Sequence, residues 1–285
     1  MSALASQAPA PGAQLTVKPL EPTIGAEISG VDLSQPISDA VRDEIKAALL
    51  EYKVVFFRDQ ELTPDQHAAF AARFGPLYTH PNTKRDANIV HIHKIAATDF
   101  AKYERTKDPT TVEAGYHTDT SWRLVPTWGA VLRAVNLPEV GGDTIWVDAG
   151  AAYEGLSDAL KARLEGLHVT HDFREALTRA GFDYPIVAHP IVRTHRETGK
   201  KILWVNFTQR PHIIGLDLAD GREILNQILD AYRKPEHQVR FSWRPGSIAF
   251  WDNRAAVHYA VRNYGDFPRL LDRVLIADEP QYADL

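Results

Sequence analysis

The sequence predicts a mainly β fold of the antiparallel sandwich or jelly-roll type, with a few helices laid over the outside. Many short apolar or alternating segments of strand length point to it, and so does the small number of clear helical stripes, which are not in regular strand–helix alternation. Nothing in the composition breaks the 285 residues into halves, which favours one domain over two.

Residues 39–51 carry Val41, Ile45, Ala48 and Leu49 at helical spacing on one face. Thr63-Pro64-Asp65-Gln66 combines a threonine cap, proline at the first helical position and a glutamine that completes a capping box, and Gly75 closes this second helix. A third stripe, Ile224, Leu225, Ile228, Leu229 and Tyr232, marks a helix over 221–232. Shorter helical pieces fall between Ala149 and Leu164, where Ser157 and Gly166 offer caps. Strands are predicted at 53–57, 89–93, 129–135, 202–206, 238–243, 247–251 and 271–276, with a Pro245-Gly246 turn before the sixth. Residues 1–14, rich in Ala, Pro and Gln, read as a disordered tail ahead of a single domain spanning 15–285.

A formal charge of −5 gives no electrostatic reason to expect nucleic acid or an anionic membrane as partner. No apolar run approaches the roughly 20 residues that cross a bilayer. The expectation is a soluble protein acting on a small molecule. With no cysteine, any metal must be held by His, Asp or Glu, and the composition suits a reducing cytoplasm.

In Gly115-Tyr116-His117-Thr118-Asp119 an imidazole and a carboxylate stand two residues apart, so on an extended strand they share a face. His258, just beyond a strongly predicted strand, offers a second imidazole. Two histidines and one carboxylate leave three positions open, which suits iron(II) holding a chelating cosubstrate and dioxygen together. An H-x-D pair also arises without any metal. Arg269 and Arg273 lie four residues apart on the last strand, about 13 Å at roughly 3.3 Å per residue, sharing a face with Leu271 and Leu275. Such arginines are either solvated surface charges or, as the leucines suggest, part of a cavity wall that binds carboxylates or other anions. His91 and His93 form a further same-face pair, read as the polar side of a half-buried strand. His168, His171, His189, His195 and His237 are read as structural, Asp252 and Asn253 as turn residues supporting His258, and Trp122 as pocket lining or packing.

From about Leu15 to Pro280 the chain resembles the taurine dioxygenase family of iron(II)/2-oxoglutarate enzymes. The resemblance rests on Ile24-Gly25-Ala26-Glu27-Ile28, Arg73-Phe74-Gly75, the triplet at 117–119, Gly141-Gly142-Asp143-Thr144, His171-Asp172-Phe173-Arg174, and Trp251-Asp252-Asn253-Arg254 followed by His258-Tyr259-Ala260. It implies a double-stranded β-helix, a cupin-like jelly roll. It implies iron held by His117, Asp119 and His258, and 2-oxoglutarate held by Arg269 and Thr144. His80 and Arg273 would grip a substrate anion, with Phe173 lining the same pocket. Two positions depart from the family pattern, Thr83 for a tyrosine and Glu113 for an asparagine, and the segment after Phe173 is shortened. These departures weigh against taurine itself. An alkyl sulfonate or alkyl sulfate, hydroxylated beside sulfur or ester oxygen to release sulfite or sulfate and an aldehyde, is the leading expectation. A carboxylate or amino-acid-derived substrate, hydroxylated or desaturated, is the alternative, and a jelly-roll binding protein without activity is the reading from another class. The family's habit implies a homo-oligomer, dimer or tetramer.

Overall fold

Alternation of side chains packs two of the four sheets among the described residues face to face around a shared interior, and the other two are separate strand pairs. The computed structural model describes residues 15–81, 83, 91–96 and 115–278. The predicted tail, Glu113 and residues 89–90 of the predicted strand 89–93 lie outside them, and of its described residues only His93 is in a strand. In chain order the first elements are β1 (Thr16–Pro19), β2 (Ala26–Ser29), α1 (Asp39–Tyr52), β3 (Val54–Phe57), α2 (Pro64–Ala72), β4 (Leu77–Tyr78), β5 (His93–Ala96) and β6 (Gly129–Asn136). There follow β7 (Thr144–Asp148), α3 (Ala149–Glu154), α4 (Asp158–Leu164), β8 (His168–His171), α5 (Arg174–Arg179), β9 (Val187–Pro190), β10 (Val192–Thr194) and β11 (Lys201–Leu203). The last are α6 (Leu218–Arg233), β12 (Gln238–Phe241), β13 (Ile248–Asp252), β14 (Ala256–Ala260) and β15 (Leu270–Ile276).

The larger sheet runs β1-β2-β3-β13-β6-β15-β4, with β5 also paired to β15; the smaller runs β12-β7-β14. In β3, Val54 and Phe56 face the smaller sheet while Val55 and Phe57 face the helices α1 and α2. The same rule places Ala249 and Trp251 of β13 inside and Ile248 and Phe250 outside. From the smaller sheet Trp146, Val239, Phe241 and Ala256 complete the interior, and Val147 and Val257 turn outward beneath α3, α4 and α6. Leu271 and Leu275 belong to the inter-sheet core, so the last strand does present its leucine face, and with it Arg273, to the interior. One register shift, where Leu270 opposes Asn136 and Leu271 opposes Ala134, leaves the extra residue on β6 and lets β15 run straight.

Most predicted elements occur, with informative shifts at their ends. The capping box at Thr63 is present in full, with Thr63 and Gln66 each accepting from the other's backbone N–H. The predicted strand start at Lys53 is instead the left-handed cap of α1 at φ 62°, its N–H donating to the Leu49 carbonyl. Its buried ammonium anchors this conformation through the carbonyls of Thr23 and Glu51 and the Asp148 carboxylate at 3.1 Å. Helix α6 begins three residues before the prediction because the Asp217 carboxylate accepts from Ala219 and Asp220 N–H groups. The predicted strands 202–206 and 238–243 stop early, at Leu203 and Phe241. No helix among the described residues is long and apolar enough to cross a membrane.

His67, fully buried on α2, meets the Val131 carbonyl through Nε2 at 3.1 Å. Burial, helped by the neighbouring Arg133 guanidinium, pushes its imidazole down to about 3. The folded value is therefore below the unfolded one, and the stability it contributes is complete above about pH 6.5 and is lost as pH falls, by about 1.4 kcal/mol per unit. Denaturant titrations at pH 7.5 and 5.0 should show His67→Gln with a shallower pH slope than the parent; an identical slope would contradict this account.

Candidate metal and substrate site

A β-bridge between β14 and a segment distant in sequence brings the histidines together. His117 and His258 form an antiparallel bridge, exchanging both backbone hydrogen bonds at 2.9 and 2.8 Å, and their ring centroids stand 4.0 Å apart. Residue pairs that exchange both bonds point their side chains to one face, here the interior. His117 Nδ1 donates to the Gly115 carbonyl at 2.9 Å, which leaves the Nε2 lone pair toward the site. Gly115 has to be glycine, since a Cβ there would lie 2.4 Å from the Tyr259 ring. The His258 ring packs beside Trp251 at 5.0 Å.

Asp119 enters from the residue after next, and its backbone is fixed on both sides by Asn253. Asn253 Oδ1 accepts from the Asp119 N–H at 2.9 Å, and Asn253 Nδ2 donates to the carbonyls of Asp119 and Thr127 at 2.8 and 2.9 Å. Directly after Asp119 the chain turns through Thr120 at φ 53°, a conformation that costs a β-branched residue about 1–2 kcal/mol. The Thr120 hydroxyl offsets this by accepting from Thr127 N–H at 2.8 Å. Behind Asn253, the buried Asp252 carboxylate is held by Arg254 and His195 Nε2, which outweigh the opposing effect of burial and keep it well below the usual range.

Ligand atoms of His117, Asp119 and His258 all lie within 4.8 Å of one another. Burial would raise the Asp119 carboxyl, but Arg273 and the two imidazoles hold it at about 2. Burial pushes both imidazoles down, further for His258, where His117 adds to the effect. The three groups are thus one anion and two neutral bases at neutral pH, the protonation state that metal ligation requires. Asp119 Oδ2 is buried without a hydrogen-bond partner among the described residues, a costly arrangement that a divalent cation would satisfy. The donor set fits iron(II).

The remaining predicted residues surround this triad. Arg269 donates through Nε to the Gly142 carbonyl at 2.9 Å and through Nη2 to Thr144 Oγ1 at 3.4 Å. Gly142 adopts φ 73°, and a Cβ there would come within 3.1 Å of Arg269 Cδ, which is why glycine recurs in this loop. Burial lowers the Arg269 guanidinium, and no carboxylate among the described residues lies within ion-pair reach of it. Arg273 donates from Nη1 to Asp119 Oδ1 at 2.5 Å. His80 is buried 6.2 Å from the Phe173 ring, and Phe173 stacks on Trp122 at 5.8 Å and 14°. Thr83 is buried with Oγ1 3.5 Å from His93 Nδ1. Glu113 lies outside the described residues.

Sequence reasoning missed three participants. The His93 ring stands 5.0 Å from that of His80, and burial and the nearby Arg273 push its imidazole down to about 3. Trp243 donates Nε1 to Thr144 Oγ1 at 3.0 Å. Tyr184 meets the Trp122 ring edge-on at 4.8 Å. Only His93 carried a signal, its same-face spacing with His91; His91 instead pairs with Thr79 Oγ1 at 2.9 Å. The Asn253 clamp yields a direct expectation. Asn253→Ala should lower iron affinity by about 10–100-fold while the fold persists, as measured by metal retention on dialysis beside circular dichroism.

Two histidines and one carboxylate within reach of one another beside a buried arginine form a group that could hold a metal ion, a donor set of the kind mononuclear non-haem oxygenases use. Residues 16–275 match the model of the taurine catabolism dioxygenase TauD, TfdA family. The chain is 33% identical to an alkylsulfatase of Acinetobacter baylyi over 94% of its own length and 87% of that protein's. It is also 33% identical to an (S)-phenoxypropionate/alpha-ketoglutarate-dioxygenase of Sphingobium herbicidovorans, covering 86% of this chain and 88% of the other. The crystal structure of a taurine dioxygenase from Burkholderia xenovorans superimposes with a TM-score of 0.80 at 36% identity, over 95% and 94% of the two chains. The chain belongs to the TauD, TfdA family: it is a 2-oxoglutarate-dependent dioxygenase with the jelly-roll fold, using iron(II) and dioxygen.

Proposed function

We propose that this enzyme hydroxylates an alkyl sulfate ester or alkyl sulfonate at the carbon beside the ester oxygen or the sulfur. The observation that carries the reading is the cluster of N–H donors formed by the Arg273 guanidinium and the His80 and His93 imidazoles next to the triad, with Phe173 and Trp122 beside it. The similarity to an alkylsulfatase supports it.

In this reading His117, Asp119 and His258 hold iron(II) on one face, and Arg269 with Thr144 grips the distal carboxylate of 2-oxoglutarate. The bound iron and oxoacid supply the oxidising chemistry, in which dioxygen is consumed to give succinate, carbon dioxide and an oxygenated substrate carbon. Arg273 and His80 orient the substrate anion so that its neighbouring carbon faces the triad. Phe173 and Trp122 keep water from that carbon. A carbon bearing both hydroxyl and sulfate ester collapses to an aldehyde and sulfate as the C–O bond to sulfate breaks and the hydroxyl proton leaves; a hydroxylated sulfonate likewise releases sulfite.

The aromatic wall of Trp122, Phe173 and Tyr184, together with the similarity to the phenoxypropionate enzyme, supports a second reading, an aryloxy carboxylate. Succinate assays with iron(II), ascorbate and 2-oxoglutarate against alkyl sulfates, alkylsulfonates, aryloxy carboxylates and amino acids separate the two. Release of sulfate or sulfite with the matching aldehyde is expected; turnover confined to carboxylates overturns the first reading. We further propose a cytoplasmic homo-oligomer, dimer or tetramer, which light scattering of the purified enzyme tests.

A further inference from the structure

We infer that His93 is a specificity-determining residue, a third N–H donor beside Arg273 and His80 that selects a three-oxygen sulfate or sulfonate head over a two-oxygen carboxylate. This inference rests on the proposed anion pocket and adds a residue and a selection rule to it.

The register of the last strands carries the inference. His93 lies directly opposite Arg273 on the neighbouring antiparallel strand. Opposed residues of such a pair project to the same face with Cβ atoms about 5 Å apart. That face is the interior, because Ile95, two residues on, packs against the inter-sheet core. The His93 ring stands 5.0 Å from the ring of His80, which arrives from the loop after β4. One guanidinium and two imidazoles from three segments therefore converge on one corner next to Asp119.

Thr83 Oγ1 lies 3.5 Å from His93 Nδ1, so the other ring nitrogen, Nε2, is the edge turned away from Thr83, and the neutral tautomer with its hydrogen there is the one that would donate to an anion. A carboxylate has two oxygens and is satisfied by a guanidinium and one imidazole. A sulfate ester or sulfonate carries three terminal oxygens, and the third needs one more donor when water is excluded. A site built for that extra bond discriminates strongly, because an analogue that cannot make it leaves a buried polar group unpaired.

The test compares hexyl sulfate, hexanesulfonate and heptanoate on the iron(II)/2-oxoglutarate holoenzyme, by succinate formation and by anaerobic binding titration. The parent should prefer the two sulfur compounds. In His93→Phe, which keeps a ring and removes the N–H, the sulfate-to-carboxylate ratio of kcat/KM should fall about tenfold or more, chiefly through KM. His93→Gln, which restores a donor near the Nε2 position, should recover most of the ratio. If phenylalanine unsettles the strand, His93→Ala provides the same comparison. A ratio unchanged in His93→Phe and His93→Ala overturns the inference while leaving the proposed substrates intact. A parent enzyme that turns over neither sulfur compound overturns the substrate reading itself, and the selection rule with it.

Discussion

Alanine at either His117 or His258 will abolish succinate formation coupled to substrate oxidation. The expected loss is at least about a hundredfold, because even residues that merely orient metal ligands cost 10–100-fold when removed. Each variant leaves only two ligands, Asp119 and one imidazole. The backbone bridge that joins the two positions does not depend on their side chains, so the fold should survive. Circular dichroism checks the fold, metal retention on dialysis checks the ligand role, and a succinate assay checks turnover. Undiminished iron affinity in both variants would refute the assignment.

The second large effect belongs to Arg269. Arg269→Ala should raise the KM for 2-oxoglutarate by about a hundredfold, since losing one partner of a buried charge pair costs roughly 2–5 kcal/mol. The guanidinium is buried and already oriented by Gly142 and Thr144, so its fork is aimed before any ligand arrives. Arg269→Lys should recover only part of the loss, because an ammonium keeps the charge but not the two-pronged geometry. Iron retention should be far less affected than in the histidine variants. An Arg269→Ala enzyme with an unchanged KM for 2-oxoglutarate would show that the cosubstrate is held elsewhere.

What could be read from sequence divides along a physical line. Local rules were fully legible: the Thr63 capping box, the stripe of α6 and the alternation of β3 and β13 follow from periods of 3.6 and 2. His117 and Asp119 were legible for the same reason, being two residues apart on extended chain. The spacing of Arg273 from Arg269 and from Leu271 and Leu275 placed it on the interior face, whereas a role in gripping an anion came only from the family resemblance. The residues that escaped act through partners distant in sequence. Trp243 reaches Thr144 from another part of the chain, His93 gains its meaning only when β5 is paired with β15, and Asn253, expected to support His258, clamps Asp119 across 134 positions instead. The left-handed turns at Lys53 and Thr120 escaped for a related reason. Neither is glycine, and each is held by its own side chain, the Lys53 ammonium reaching Thr23 and Asp148 and the Thr120 hydroxyl meeting Thr127 N–H.

The bridge between His117 and His258 fastens points about 140 residues apart, and closing so long a loop costs a flexible chain about 4 kcal/mol. The bridge and the packing around it gather the ligands without an ion. Conversely, any opening of the ladder at this rung scatters them. The amide protons of His117 and His258 are themselves the rung, and their rate of exchange with solvent deuterium therefore reports how often the centre comes apart.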